Sequence, residues 1–428
     1  MAIVSIKSQH VTIYDADGWI LRAPVSSGTT GRETPSGIFS VLQKDKDHHS
    51  NLYDDAWMPN MLRITWSGIA LHGGPLPGYP ASHGCVRMPY GFAEKLFDKV
   101  RLGMRVIIAP NDAEPVEFSH PALFVPKSDA IAGVSARIET LARAADEAAR
   151  TALEAKNAAN AAAREAAPLT ASLGKLKGLK ASADAALARA EKALDAANTD
   201  QAKARAEELK EKAAARVAEL QMQLDTAEAN AKSKLDAAAA AQDGAKAAET
   251  KRADAAKTAR EAKLELQPVS VFVSRTTKRL YVRRGVEAIL EVPVTIRDPD
   301  KPIGTHVFTA VARAGEGLRW TAVTIDSGDN AQAALDRIGI PQDVLASLAP
   351  TALPRSSLVI SDEPLNRETN NRTEFVVALH NQPQGGLAMR RTPSNVRVAR
   401  GNGWDDTRFT PWRGGGQYYY QRRQGWWW

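Results

Sequence analysis

Over the first 110 residues, apolar and polar positions alternate in short runs divided by turn residues. Val4 to Ile13 alternates, Asp15-Ala16-Asp17-Gly18 marks a turn, and Trp19 to Val25 alternates again, which predicts a β-hairpin. Ile38–Leu42 reads as a further strand, followed by a polar stretch from Gln43 to Asp55. Trp57, Met58, Met61, Leu62 and Ile64 then lead to an apolar strand ending in Ala70-Leu71-His72-Gly73-Gly74. From Phe92 to Val100 the apolar residues fall at helical spacing, and Gly103-Met104-Arg105-Val106-Ile107-Ile108 reads as a closing strand. The pattern predicts a mostly-β domain with one helix over residues 1–112.

From about Ser128 to Leu266 the pattern changes to an apolar position every third or fourth residue. Ala, Glu, Lys, Arg, Asp and Leu dominate this stretch and aromatics vanish, which predicts long amphipathic helices paired as a coiled coil over 128–266. Asn198-Thr199-Asp200 is the best turn and N-cap signal within it. It divides the segment into two arms of about 100 Å each at 1.5 Å per residue, an antiparallel hairpin. Pro168, Gly174 and Gly178 oppose a straight first arm and imply a kink or short break, with a main reversal at Pro168–Gly178 as the alternative.

After Pro268 the β pattern returns and repeats the start of the chain. Val269-Ser270-Val271-Phe272-Val273 resembles the first strand, Arg279-Leu280-Tyr281-Val282 the second, and Pro302-Ile303-Gly304-Thr305-His306-Val307-Phe308 the stretch Pro35-Ser36-Gly37-Ile38-Phe39. A second copy of the fold is expected over 268–390, interrupted by a helical insertion around Asn330–Leu348. Residues 391–428, rich in Arg, Gly, Tyr and Trp, read as a disordered tail. The fold class is therefore α+β and multidomain.

Composition narrows the function. The chain has 428 residues, 44% hydrophobic and 25% charged, with a formal charge of +7, values ordinary for a soluble protein. No stretch approaches the ~20 apolar residues that span a bilayer. Met1-Ala2-Ile3-Val4-Ser5 has none of the features of a signal peptide. No basic stripe interleaved with aromatics points to nucleic acid. His48-His49 lacks the companions of a metal site, so neither metal nor cofactor is expected.

The single cysteine excludes internal disulfides and concentrates attention on Ser82-His83-Gly84-Cys85-Val86-Arg87-Met88. A thiol attacks as thiolate, so a nucleophilic Cys85 needs a partner that takes its proton, and His83 stands two positions away. Backbone amides at Gly84 and Cys85 suit an oxyanion. Arg87 suits either a substrate carboxylate or bracing of the loop. The equivalent place in the second copy is expected at Ser356-Ser357-Leu358-Val359-Ile360-Ser361, which has no thiol, so that copy is read as non-catalytic.

This set of motifs resembles the L,D-transpeptidases of the YkuD type. Their hallmark is a His-Gly pair, a loop, then Ser-His-Gly-Cys, a hydrophobic residue and Arg or Asn; here it is His72-Gly73 followed by Ser82-His83-Gly84-Cys85-Val86-Arg87, with a shorter loop than usual. Val25-Ser26-Ser27-Gly28 and Thr34-Pro35-Ser36-Gly37-Ile38-Phe39 are similar to the family's upstream glycine loop and turn. The resemblance implies a cysteine acyltransferase of cell-wall biogenesis, in the periplasm or cell envelope, that cross-links peptidoglycan stem peptides or attaches an envelope protein, as acyl acceptor, to the cell wall. Cys85, His83, Gly84, Arg87 and His72 are then the catalytic candidates, with His72 lining the acyl pocket or orienting His83. Ser82, Gly73, Tyr79, Ser26 and Gly28 are the substrate-binding candidates. An L,D-carboxypeptidase, or an envelope scaffold whose hairpin binds a partner protein, is the rival reading.

Overall fold

The computed structural model describes residues 1–50, 56–370 and 373–385 and the backbone of 419–420. The first half builds β1 (Ala2–Ser5), β2 (His10–Asp15), β3 (Gly18–Pro24), β4 (Gly37–Ser40), β5 (Gln43–His49), β6 (Trp57–Arg63), β7 (Ala70–Gly73), β8 (Val86–Met88), α1 (Tyr90–Lys99), β9 (Arg105–Ala109) and β10 (Val116–Phe118). The run from Val4 to Ile13 holds two strands rather than one. The chain reverses between them because Ser5 Oγ accepts from the Ser8 amide, the Gln9 side chain donates to the Ile6 carbonyl at 2.7 Å, and Gln9 adopts φ 49°. The polar stretch after Leu42 is also extended: β5 pairs only with β6, and such an edge strand can carry polar side chains to solvent.

Residues 136–263 form a body of their own. Helices α2 (Ser128–Asp195) and α3 (Asp200–Leu264) are separated by residues 196–199, and Thr199 Oγ1 caps α3 by accepting from the Ala202 amide at 3.2 Å. The ion pairs Glu165–Lys234, Lys177–Glu228 and Glu191–Lys210 run in opposite senses along the two helices, which are therefore antiparallel. The expected break at Pro168–Gly178 is absent: α2 continues through Pro168. Leu169, Leu173 and Leu176 pack there against Leu224, Ala227, Ala231 and Leu235, and burial of this apolar cluster offsets the lost backbone bond.

The second half builds β11 (Val269–Ser274), β12 (Arg279–Arg284), β13 (Glu287–Pro293), β14 (Thr295–Ile296), β15 (His306–Ala314), β16 (Gly317–Thr324), α4 (Ala331–Arg337), β17 (Ile338–Gly339), α5 (Gln342–Leu348), β18 (Ser357–Ser361), β19 (Val377–Ala378) and β20 (Tyr419–Tyr420). The rest of the expected tail, 391–428, lies outside the described residues. Two seven-stranded sheets result, in the orders β19-β4-β9-β1-β2-β3-β20 and β10-β16-β15-β18-β11-β12-β13. The inner five strands of the first sheet and β15-β18-β11-β12-β13 of the second share order and relative direction, with one parallel pair, β1 with β9 and β11 with β18. Details recur at matching positions: left-handed Gln9 and Lys278, a Ser5–Ser8 bond and a Ser274–Thr277 bond, and bulges at Ile13/Tyr14 and Val282/Arg283. This order corrects one expectation. Ser357–Ser361 occupies the place of β9, the closing strand, and not that of the Cys85 stretch.

Each half also lends an edge strand to the other's sheet: β19 pairs with β4, and β10 pairs with β16. The sheets meet face to face through Ile3, Ile38, Ile107 and Val377 on one side and Phe272, Val307 and Val359 on the other. The opposite face of the first sheet carries α1 and a four-stranded sheet, β5-β6-β7-β8, packed through Phe92, Leu96, Leu71, Val86 and Met88. The corresponding outer face of the second sheet is covered by Leu335, Val344 and Leu348 of α4 and α5.

Candidate active site

The site is built on the β7–β8 pair. These strands are parallel, with Leu71 opposite Val86 and His72 opposite Arg87. Side chains alternate along a strand, so Leu71 and Val86 point into the core while Ala70, His72 and Arg87 share the other face. Cys85, two residues before Arg87, lies on that face and packs with Met58, Met61 and Ala70. Arg63 joins them through its pairing with Ala70.

The Cys85 thiol lies 3.8 Å from the Gly68 carbonyl, to which it donates. Burial pushes its pKa up, against the opposite pull of a hydrogen bond with the Ala70 backbone and of the Arg63 and Arg87 guanidinium groups. His72, 6% exposed, has its pKa lowered to about 4 by burial, assisted by Arg87 and His48 and opposed by the Gly73 carbonyl. Its Nδ1 lies 2.8 Å from that carbonyl, so Nδ1 donates there and Nε2 keeps a free lone pair. His83 is exposed, on the loop just before Cys85.

The remaining loop residues are held by one another. Gly84 takes φ +113°, donates its N–H to Ser82 Oγ at 3.1 Å and accepts from Thr34 Oγ1 at 2.9 Å; its amide is thus already committed and is no oxyanion donor here. Ser82 Oγ donates to the Cys85 carbonyl. Thr34 Oγ1 also accepts from the Gly28 amide at 2.8 Å. Ser26, fully buried, exchanges backbone hydrogen bonds with Arg87, and its hydroxyl donates to the Tyr79 carbonyl at 2.7 Å. Ser26, Gly28 and Ser82 therefore brace the Cys85 loop, whereas Tyr79 is 59% exposed at the loop's outer edge. Gly73 is buried and keeps the space beside it small: a Cβ there would meet the Tyr90 ring at 3.0 Å.

Sequence reasoning missed several contributors. Thr34 links the upstream glycine loop to Gly84, and its only sequence signal is the Thr-Pro turn. Arg63 and the Gly68–Ala70 backbone reach the thiol through pairing of β6 with β7, which no local motif announces. His48, whose Nδ1 lies 3.1 Å from Asp45, acts electrostatically on His72 from β5. Trp57 and Tyr90 form a half-exposed stacked pair with ring centroids 6.0 Å apart, and Trp57 Nε1 donates to Asp47 at 2.7 Å.

Residues 1–108 match a family model, YkuD, described as the L,D-transpeptidase catalytic domain. Among curated proteins, L,D-transpeptidase 1 of Mycobacterium tuberculosis is 31% identical over 113 residues, a match covering 22% of this chain and 45% of that protein. The chain thus spans less than half the length of the curated relative it matches. Among solved structures, an L,D-transpeptidase from Mycobacterium smegmatis is 24% identical, covering 25% of this chain and 57% of that one with a TM-score of 0.24. One from Xylanimonas cellulosilytica is 26% identical, covering 25% and 58% with a TM-score of 0.24.

Proposed function

We propose, from the premise that residues 1–108 carry the L,D-transpeptidase catalytic domain, that this protein forms acyl links between peptidoglycan stem peptides in the cell envelope. The observation that carries the reading is the shared face of β7 and β8, where the only thiol of the chain, a buried neutral histidine and two arginines converge. Cys85 Sγ attacks the carbonyl of the third residue of a donor stem. Its proton passes to a histidine and then to the leaving amine of the terminal D-alanine. The thioester on Cys85 is then attacked by the side-chain amine of an acceptor stem, which releases the thiol.

Geometry favours His72 over His83 as the base. His72 shares the nucleophile's face, is neutral at pH 7 and leaves Nε2 free, whereas His83 is exposed. In the resting site both thiol and imidazole are neutral, and proton transfer accompanies attack. Arg87 and Arg63 supply positive potential for the thiolate and for a substrate carboxylate.

The second half is, in the same proposal, a non-catalytic copy of the fold. Five strands of equal order, with a shared bulge and a shared left-handed residue, support it, while α4 and α5 stand where the first half has its four-stranded sheet. The paired helices 136–263 are read as a coiled-coil hairpin. Incubation with purified disaccharide-tetrapeptide and mass spectrometry tests the function. Cross-linked dimers and a thioester mass on wild type but not on Cys85→Ala support it, and free tripeptide as sole product shifts it to carboxypeptidase.

A further inference from the structure

The C-terminal half touches the catalytic half beyond the shared hydrophobic interface, and one of those contacts leads to the thiol. Glu368 Oε2 accepts from the Trp66 amide at 2.7 Å. Trp66 belongs to a tight turn in which the Gly68 amide donates to the Thr65 carbonyl at 3.2 Å, Thr65 Oγ1 accepts from the Ile69 amide at 2.9 Å and Gly68 takes φ +113°. The same turn provides both backbone contacts of Cys85: the Gly68 carbonyl lies 3.8 Å from Sγ, and the Ala70 backbone, two residues on, hydrogen-bonds the sulfur.

Glu368 is itself firmly mounted. Its amide donates to Asn366 Oδ1 at 2.9 Å, and its carbonyl accepts from Thr373 Oγ1 at 3.2 Å. The carbonyls of Asn370 and Thr373 each accept from Arg283 Nη1 at 2.7 Å. Arg283 is a buried residue of β12, next to the edge strand β13 of the second sheet, and lies over the Phe375 ring. A continuous series of hydrogen bonds therefore runs from the second sheet, through Arg283 and Glu368, to the backbone around the sulfur. Ion pairs or bonds at a surface turn usually matter little, but this carboxylate fixes a backbone N–H whose turn has no other contact of this kind with the C-terminal half among the described bonds.

We propose that Glu368 is a positioning residue for Cys85: the C-terminal half sets the burial and orientation of the nucleophile by holding the Trp66–Gly68 turn against it. The proposal rests on the reading of Cys85 as the nucleophile. It gives the thiol-free copy a task on the other copy's active site, without any substrate contact of its own.

The test compares Glu368→Ala, Glu368→Asp and Glu368→Gln in the full chain, following the pH profile of Cys85 alkylation by iodoacetamide beside the melting temperature. Release of the turn uncovers the thiol and lowers the main cause of its raised pKa. In the Ala and Asp variants alkylation at pH 7 should rise about three- to tenfold, the thiolate gain from a midpoint lower by half to one pH unit. Asp keeps the charge but is one methylene too short. Gln keeps an acceptor oxygen at the right reach and should retain the wild-type profile. Unchanged profiles in Ala and Asp overturn the proposal, as does a common fall in melting temperature with no change in midpoint. Alkylation needs no stem peptide, so a failed cross-linking assay leaves this result standing, and a failed alkylation test leaves the transpeptidase reading intact.

Discussion

Cys85 can react only by giving up a proton that burial makes it keep, so the groups around it decide the chemistry. Cys85→Ala should abolish cross-linking while the melting temperature stays near wild type, since the side chain packs at the edge of a small cluster. His72→Ala should slow acylation by about 10²–10⁴, the usual worth of a positioned base, and His83→Ala should cost far less; single-turnover acylation measured by intact mass separates them. His72 also makes stability depend on pH. Its folded pKa, about 4, lies below the unfolded value near 6.5, so only the unfolded chain binds this proton between those limits and stability falls as pH drops through them. The loss amounts to roughly 3 kcal/mol at full extent, and a smaller drop in urea midpoint from pH 7 to 4.5 in His72→Gln than in wild type checks it. The candidate nucleophile was legible in the sequence because Ser82-His83-Gly84-Cys85 is contiguous. The facing of His72 and Arg87 was not, because it comes from the pairing of two strands and not from neighbouring residues.

Between residue and molecule, the catalytic loop is an element with no regular structure, held by hydroxyls. Thr34→Val keeps the shape but leaves the Gly28 amide and the Gly84 carbonyl without their partner. Each buried orphan costs about 1–3 kcal/mol, so a stability loss of about 2–6 kcal/mol is expected in urea titration, with slower acylation because Gly84 is freed to move. Strand existence was legible from alternation, but its limits were not: the run was read as one strand although Lys7-Ser8-Gln9-His10 are all polar, and Ser8 and Gln9 close the β1–β2 reversal with their own bonds. Pro168 misled in the other direction. Its local cost is real, yet leucines on both sides find partners on the facing helix, a contact distant in sequence.

At the scale of the whole molecule, the two halves are woven together, since β19 completes the first sheet and β10 the second. A chain ending at Lys127 would expose Ile3, Ile38 and Ile107 and lose the edge strand on β4, where a Cβ on Gly37 would strike the Val377 carbonyl at 2.0 Å. Such a chain should be aggregated or molten by near-UV circular dichroism and gel filtration; a sharp, cooperative melt would contradict the interdependence. Arg105 ties the same seam, donating to Glu374 at 2.5 Å and Ser357 at 3.0 Å. The matching strand signals of the two halves were visible in the sequence, but the exchange of strands was not, because two-residue β19 carries no periodic signal. The exchange has a consequence in time. About 270 residues separate Ala109 from Val377, and at ribosomal rates of about 5–20 residues per second they take roughly 15–50 s to emerge. During that interval the newborn first half has an open sheet edge and an uncovered apolar face, a ready substrate for holding chaperones and for passage through a membrane in unfolded form. The seam closes after that interval, when β19 reaches the edge of β4.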